Sequence, residues 1–178
     1  GRGSKITMKS GRTLELYGTN DVNSSNKGVV ARTKDLGKVL VEWRDFEYVE
    51  FQDEFKNSAV KSYDDFDKPK RIKGEVTTVD DSKFSGLIVY DMDETFDFEM
   101  LEGNDYQVKF SMPFRNIAGI KPKNYNYSTI ETKSGAKILL GDAQDVSDRN
   151  DGILIFKSEK DLEPVLLKWD KVKEINFQ

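Results

Sequence analysis

Six carboxylates fall between positions 91 and 102: Asp91, Asp93, Glu94, Asp97, Glu99 and Glu102. Carboxylates at this density suit two chemistries. A pair whose surroundings split their pKa values can work as general acid and base in glycoside hydrolysis. Clustered oxygens are also what a hard cation such as Ca²⁺ takes as ligands, with Asp91, Asp93 and Asp97 as the candidate set. Against both stands the spacing of Phe96, Phe98, Met100 and Leu101, which interleave as core positions do. A solvated loop and strand edge is therefore the expected role of this run.

A second polar cluster occurs twice. Asn20, Asp21, Asn23 and Asn26 precede Gly28, and Asp142, Asp145, Ser147, Asn150 and Asp151 precede Gly152. Asn and Asp hydrogen-bond their own backbone in turns and tolerate left-handed conformations, so both stretches read first as structured loops. The spacing is not that of an EF-hand, because each glycine stands eighth from Asp21 or Asp145 and no bidentate Glu follows at the twelfth position. Should either loop hold a ligand, Asp21, Asn23, Asn26, Asp145 and Asn150 are the candidates. Trp43 and Trp169 could add aromatic platforms for a sugar, although their place in an apolar row favours core anchors. Tyr63, Tyr125 and Tyr127 lie near junctions and suit packing between units or contact with a partner.

Other chemistries are excluded by composition. The 178 residues contain no His and no Cys, which removes imidazole acid–base catalysis, thiolate nucleophiles, disulfides, iron–sulfur ligation and ordinary structural zinc. Ser24 and Lys27 fit a Ser-x-x-Lys pattern, and Lys9-Ser10-Gly11 and Lys133-Ser134-Gly135 fit the Lys-Ser/Thr-Gly of penicillin-recognising enzymes. Both Lys-Ser-Gly copies fall at hairpin turns, and turn chemistry accounts for them. Neither the Walker phosphate loop nor the dinucleotide glycine fingerprint occurs. No catalysis is expected. The net charge is −4 and the pI about 5.1, whereas nucleic-acid binding needs a basic face. The cationic cluster of Lys68, Lys70, Arg71 and Lys73 reads as a solvated linker edge, so no nucleic-acid partner is expected. No run approaches the ~18 apolar residues of a membrane span. The start at Gly1 suggests a processed or engineered end, which leaves room for a removed export signal.

The elements that must position these residues come from repeats. Lys9-Ser10-Gly11, Asp21-Val22, Asn26 and Gly28 recur 124 positions later as Lys133-Ser134-Gly135, Asp145-Val146, Asn150 and Gly152. Asp35-Leu36, Val39-Leu40, Trp43 and Phe51-Gln52 recur 126 positions later as Asp161-Leu162, Val165-Leu166, Trp169 and Phe177-Gln178. Residues 4–52 and 128–178 thus read as copies of one unit, the second with two extra loop residues. Between them, Phe110, Met112, Phe114, Ile117 and Ile120 repeat the same ending. Period-two apolar steps indicate half-buried strands, and a single step of three at Trp43, Phe114 or Trp169 indicates one 3₁₀ turn. Hairpins are predicted around Ser10-Gly11 and Asp80-Asp81. The expectation is an all-β chain of three small barrel-like modules, 4–52, 71–123 and 124–178, packed closely on one another. A linker or short helix is expected over 53–70, with Phe55, Ala59, Tyr63 and Phe66 on one face of a helix near 53–66.

Lys73-Gly74-Glu75-Val76-Thr77-Thr78, Phe84-Ser85-Gly86-Leu87-Ile88-Val89-Tyr90-Asp91-Met92-Asp93-Glu94 and Met112-Pro113-Phe114-Arg115-Asn116-Ile117, with Ile120, resemble small barrels of the Sm-like and PRC-barrel type, which are SH3-like in build. The chain is more closely similar to tandem modules of mostly exported bacterial proteins, in which such a unit alternates with one like Asn20 to Phe51 and another module often comes first. The resemblance implies the fold and an exported, periplasmic or cell-envelope setting. It does not imply RNA binding, because the Asp-x-Asn element reads Asp91-Met92-Asp93 here and Arg115-Asn116 lacks the following Gly. The resulting expectation is a non-catalytic structural or protein-interaction module, whose partner is a protein or the chain itself through module packing. A Ca²⁺- or polysaccharide-binding module is the alternative, and a carboxylate hydrolase the third reading.

Overall fold

In a computed structural model, residues 3–18, 22–51 and 68–178 are described. Asp21, Tyr63 and the helix expected near 53–66 lie outside them. The described residues are all-β. In chain order the strands are β1 (Ser4–Thr7), β2 (Thr13–Leu16), β3 (Val29–Thr33), β4 (Gly37–Val41), β5 (Lys73–Thr78), β6 (Lys83–Tyr90) and β7 (Met100–Asp105). They continue as β8 (Val108–Pro113), β9 (Ile117–Pro122), β10 (Tyr127–Thr132), β11 (Lys137–Gly141), β12 (Ile153–Phe156), β13 (Val165–Leu167) and β14 (Val172–Phe177). Single 3₁₀ turns follow β4, β8 and β13 at Trp43–Asp45, Phe114–Asn116 and Trp169–Lys171. They fall where the apolar period slips from two to three. Among the described residues no helix is long and apolar enough to cross a membrane.

The strands do not close into three barrels. Among the described residues β1 and β2 pair with each other alone, and the other twelve strands form one open antiparallel sheet in the order β13-β12-β6-β5-β14-β9-β10-β11-β7-β8-β4-β3. The expected closure fails for a local reason. Only 123–126 separate β9 from β10, and Asn124 Oδ1 accepts from the N–H groups of Asn126 (2.9 Å) and Tyr127 (3.0 Å), so the chain turns straight back. A hairpin neighbour forms at lower entropic cost than a return to β5 across the unit. β9 therefore pairs with β10, while β14, the last strand of the chain, takes the place beside β5.

Residues 73–122 and 127–177 consequently interleave. β5 is flanked by β14, β6 by β12, and β7 by β11, each pair combining one strand from either segment. Exchanging each of β5–β9 with the strand five places later reverses the order from β13 to β8 and otherwise leaves it unchanged. The turning point is β9 against β14, where Ile120 faces Ile175. Glycines permit the crossings: a Cβ on Gly74 would stand 2.5 Å from Asn176 O, and one on Gly86 only 2.2 Å from Phe156 O.

One core results. Val76, Ile88, Tyr90, Leu101, Met112, Ile117, Ile120, Ile130, Leu140, Val146, Ile153 and Ile175 are fully buried, drawn from both segments. Tyr90 sits among rings at its centre, 5.1 Å from Phe114 and 5.9 Å edge-on from Trp169. No described residue between 3 and 51 is buried to this degree.

Candidate functional site

The two carboxylate clusters that are separate in sequence meet in space. The turn after β6 supplies Asp91 and Glu94, and the link from β11 to β12 supplies Asp145, Asn150 and Asp151. Asp91 is 4% exposed, and its Oδ1 accepts the Asp151 N–H at 2.5 Å. Asp145 is 9% exposed, and its Oδ2 accepts the Glu102 N–H at 2.6 Å. The Tyr90 hydroxyl donates to Asp145 O, and Asn150 Nδ2 donates to the same carbonyl at 3.3 Å. Asn150 Oδ1 accepts the Gly152 N–H at 2.9 Å, closing the Asx turn expected there. Gly152 holds φ +110°, which a Cβ would strain.

Burial disfavours the charged form and raises the pKa of a carboxyl. Glu94 is pushed up to about 9, first by burial and then by the Asp93 carboxyl and the charge on Asp145. Its Oε2 is buried without a hydrogen-bond partner. Asp145 rises to about 6 through burial, partly offset by the Glu102 N–H, with the charges of Asp91, Glu102 and Asp93 adding to the rise. Asp91 is raised by burial against the Asp151 N–H, and Tyr90 well above its ordinary value by burial. Neither Asp91, Glu94 nor Asp145 lines the cavity beside Trp43 or the one beside Arg115. The cluster clamps two loops of the interleaved segments together.

The remaining acids diverge. Asp93 is exposed. Asp97 Oδ1 accepts the Lys70 N–H at 3.1 Å, and Glu99 Oε2 accepts the N–H groups of Thr95 and of Phe96, the latter at 2.7 Å. Among the described residues no group of three His, Cys, Asp or Glu side chains is arranged to hold a metal ion. Asp91, Asp93 and Asp97 thus do not form the Ca²⁺ set that their spacing suggested, because backbone N–H groups take up Asp91 and Asp97 in different places.

The tryptophans part company too. Trp169 is 6% exposed and packed in the core. Trp43 is half-buried, 5.3 Å edge-on from Phe46, and lines a surface cavity of about 490 Å³ with Asn26, Lys27, Glu42, Arg44 and Lys109. Glu42 pairs there with Arg44 at 3.2 Å and Lys109 at 3.4 Å. Asn26 Oδ1 accepts the Gly28 N–H at 2.8 Å, and Asn23 Oδ1 accepts the Ser25 N–H at 2.8 Å, so both amides spend an oxygen on their own loop.

Sequence reasoning missed a third place. Lys70, Arg71 and Lys73, read as a solvated edge, stand with Arg115 and Lys133 around a cavity of about 740 Å³ that also meets Asp97, Glu159, Phe114 and Phe177. The Nε atoms of Arg71 and Arg115 are buried without hydrogen-bond partners, and the Arg71 guanidinium lies 5.8 Å from the Phe96 ring centre. The grouping depends on β5, β9 and β14 lying side by side, which no short motif signals. Compared with known protein families, curated proteins and solved structures, the chain matches none.

Proposed function

We propose that the chain is a non-catalytic protein-interaction module in which 68–178 is the scaffold and 3–51 carries the binding surface, serving in an exported or cell-envelope setting. One observation carries this reading: the same residue types are sealed in one segment and open in the other. Ile130, Val146, Ile153, Trp169 and Val172 are at most 6% exposed, whereas Ile6, Val22, Val29, Trp43 and Phe46, at the corresponding positions of the sequence repeat, are none of them buried. Tyr48, Phe51 and Tyr17 next to them are 77%, 80% and 70% exposed. Exposed large apolar side chains also occur in 68–178, as at Tyr106 and Leu162, but only in 3–51 do they adjoin apolar repeat positions that are left unburied, and contiguous exposed apolar surface is typical of a docking face. Pull-down with the full chain against a Trp43→Ala, Phe51→Ser double variant tests the reading. Capture that the double variant loses supports it, and specific turnover of any substrate overturns it.

A second reading, polysaccharide binding, is favoured by the cation-rimmed cavity. Five cations against two carboxylates, with Phe114 and Phe177 in the wall, suit an acidic glycan better than a neutral one. A melting-temperature rise with polygalacturonate, absent with dextran and lost in Arg115→Ala, would support this reading; equal responses to both polymers would remove it.

A further inference from the structure

We infer that residues 3–51 form half of an interleaved unit and that the missing half is the same segment of a second copy of this chain. The inference rests on the protein-interaction reading above and names the partner.

The local structures of the two sequence copies agree bond by bond. Ser4 Oγ donates to Val22 O at 2.9 Å, and Ser128 Oγ donates to Val146 O at 2.8 Å. The N–H of Gly11 reaches Met8 O at 2.8 Å, and that of Gly135 reaches Thr132 O at 2.9 Å. Val29 faces Val41 across β3 and β4, as Ile153 faces Leu167 across β12 and β13. Residues 3–51 are thus built as the last segment is built, yet they lack the strands that complete it. β10 lies between β9 and β11, β11 between β10 and β7, and β12 between β13 and β6. Among the described residues the corresponding β1 and β2 have only each other, and β3 has only β4. The stretch after Trp43–Asp45, which corresponds to β14, joins no described strand and leaves Val49 39% and Phe51 80% exposed.

Every vacant edge is of a kind that the segment itself supplies. In the interleaved pair, a first strand takes its partner's closing strand, a second strand takes its partner's third, and the two closing strands meet each other. A second copy of 3–51 would present 46–51 to β1, β3 to β2 and β2 to β3, covering the Trp43 face in the same step. Among the described strands outside 3–51 only β13 has a free edge, and its three residues, Val165–Leu167, could fill one of these places but not all of them, since the other strands there all have neighbours on both sides. Charge does not oppose the pairing: 3–51 contains eight Lys and Arg against seven Asp and Glu. An open sheet edge pairs readily with another strand unless it is covered.

The interleaved pair also predicts the register. Ile120 faces Ile175 at its centre, and Val49 occupies the corresponding place in 3–51, so the two Val49 residues should face each other across the dimer axis. The chain has no cysteine, so Val49→Cys introduces a single thiol, with facing Cβ atoms about 5 Å apart and within reach of a disulfide after a small shift. Sedimentation of the full chain over a roughly hundredfold micromolar range should show a monomer–dimer equilibrium. Mild oxidation should couple Val49→Cys into a dimer at least tenfold faster than Leu162→Cys, a 92% exposed control in the last segment. Phe51→Ser should lower the dimer fraction while leaving the scaffold's near-ultraviolet circular dichroism intact. A single monomeric species throughout, or coupling at Val49→Cys no faster than the control, overturns the inference. That failure is separable from failure of the interaction reading, because a monomer that still captures a different protein through Trp43 and Phe51 removes only the self-pairing.

Discussion

Replacing Glu94 by Gln should make the protein more stable at mildly alkaline pH and flatten its pH dependence. Folded, this carboxyl titrates at about 9, chiefly because it is buried. Unfolded, it returns to its ordinary 4.5. Between those values the folded chain holds one proton more than the unfolded chain, so stability is fully present below pH 4.5 and declines as pH rises towards 9. The slope for one such group is about 1.4 kcal/mol per pH unit, or roughly 3 kcal/mol from pH 6.5 to 8.5. Asp145, at about 6, acts in the same direction but has finished by then. Glutamine keeps the shape of the neutral acid and has no proton to lose. Urea melts of wild type and Glu94→Gln at pH 6.5, 7.5 and 8.5 read the difference directly: the wild-type midpoint should fall steadily, and the variant's should hold. At roughly 2–4 °C per kcal/mol, the corresponding thermal separation at pH 8.5 approaches ten degrees. A flat wild-type profile, or a variant that keeps the slope, would refute the assignment of the proton to Glu94.

Trp169→Ala should cost about 3–5 kcal/mol in denaturant melts, as an emptied core site does, while Trp43→Ala should alter the scaffold transition little and weaken association; equal losses would contradict their different burial. Gly86→Val should stop β6 closing on β12, because even a Cβ would stand 2.2 Å from Phe156 O, and hydrogen exchange should then rise over Ile153–Phe156; an unchanged pattern would mean that the strands accommodate the side chain and stay paired. Asn150→Ala removes the acceptor for the Gly152 N–H and should cost about 1–3 kcal/mol at this buried turn, against a smaller loss for Asn26→Ala, whose loop water can reach.

Strand content, hairpins and 3₁₀ turns were legible because each rests on local rules. Ser10-Gly11 and Asp80-Asp81 turn where their dihedral preferences allow, and the slip from period two to three at Phe114 and Trp169 marks the 3₁₀ turns. The partner of each strand was not legible. Val76 carries the same alternation whether its neighbour is Ile120 of its own segment or Ile175 of the next, and apolar period reports burial without saying who provides it. The site followed the same division. The Asx turns at Asn26 and Asn150 are local and could be read from spacing, whereas the meeting of Asp91 and Glu94 with Asp145 depends on β6 lying beside β12. The cations at Arg71 and Arg115 remained invisible as a group for that reason.

The size of the units explains why such an arrangement is favourable. A module of ~50 residues buries only about 60% of the surface that its unfolded chain exposes, so alone it is marginal. Interleaving gives 73–122 and 127–177 a common interior, in which Ile120 and Ile175 are each 1% exposed and Tyr90 of one segment touches Trp169 of the other. It also seals polar groups that water would otherwise reach, which is why Asp145 and Asn150 are buried with their hydrogen bonds made. Residues 3–51 carry the same apolar positions without that cover, and the Trp43 face is one surface they leave open. Stability and the proposed binding would thus share one cause in this chain: whatever completes 3–51 would bury there what the rest of the chain has already buried for itself.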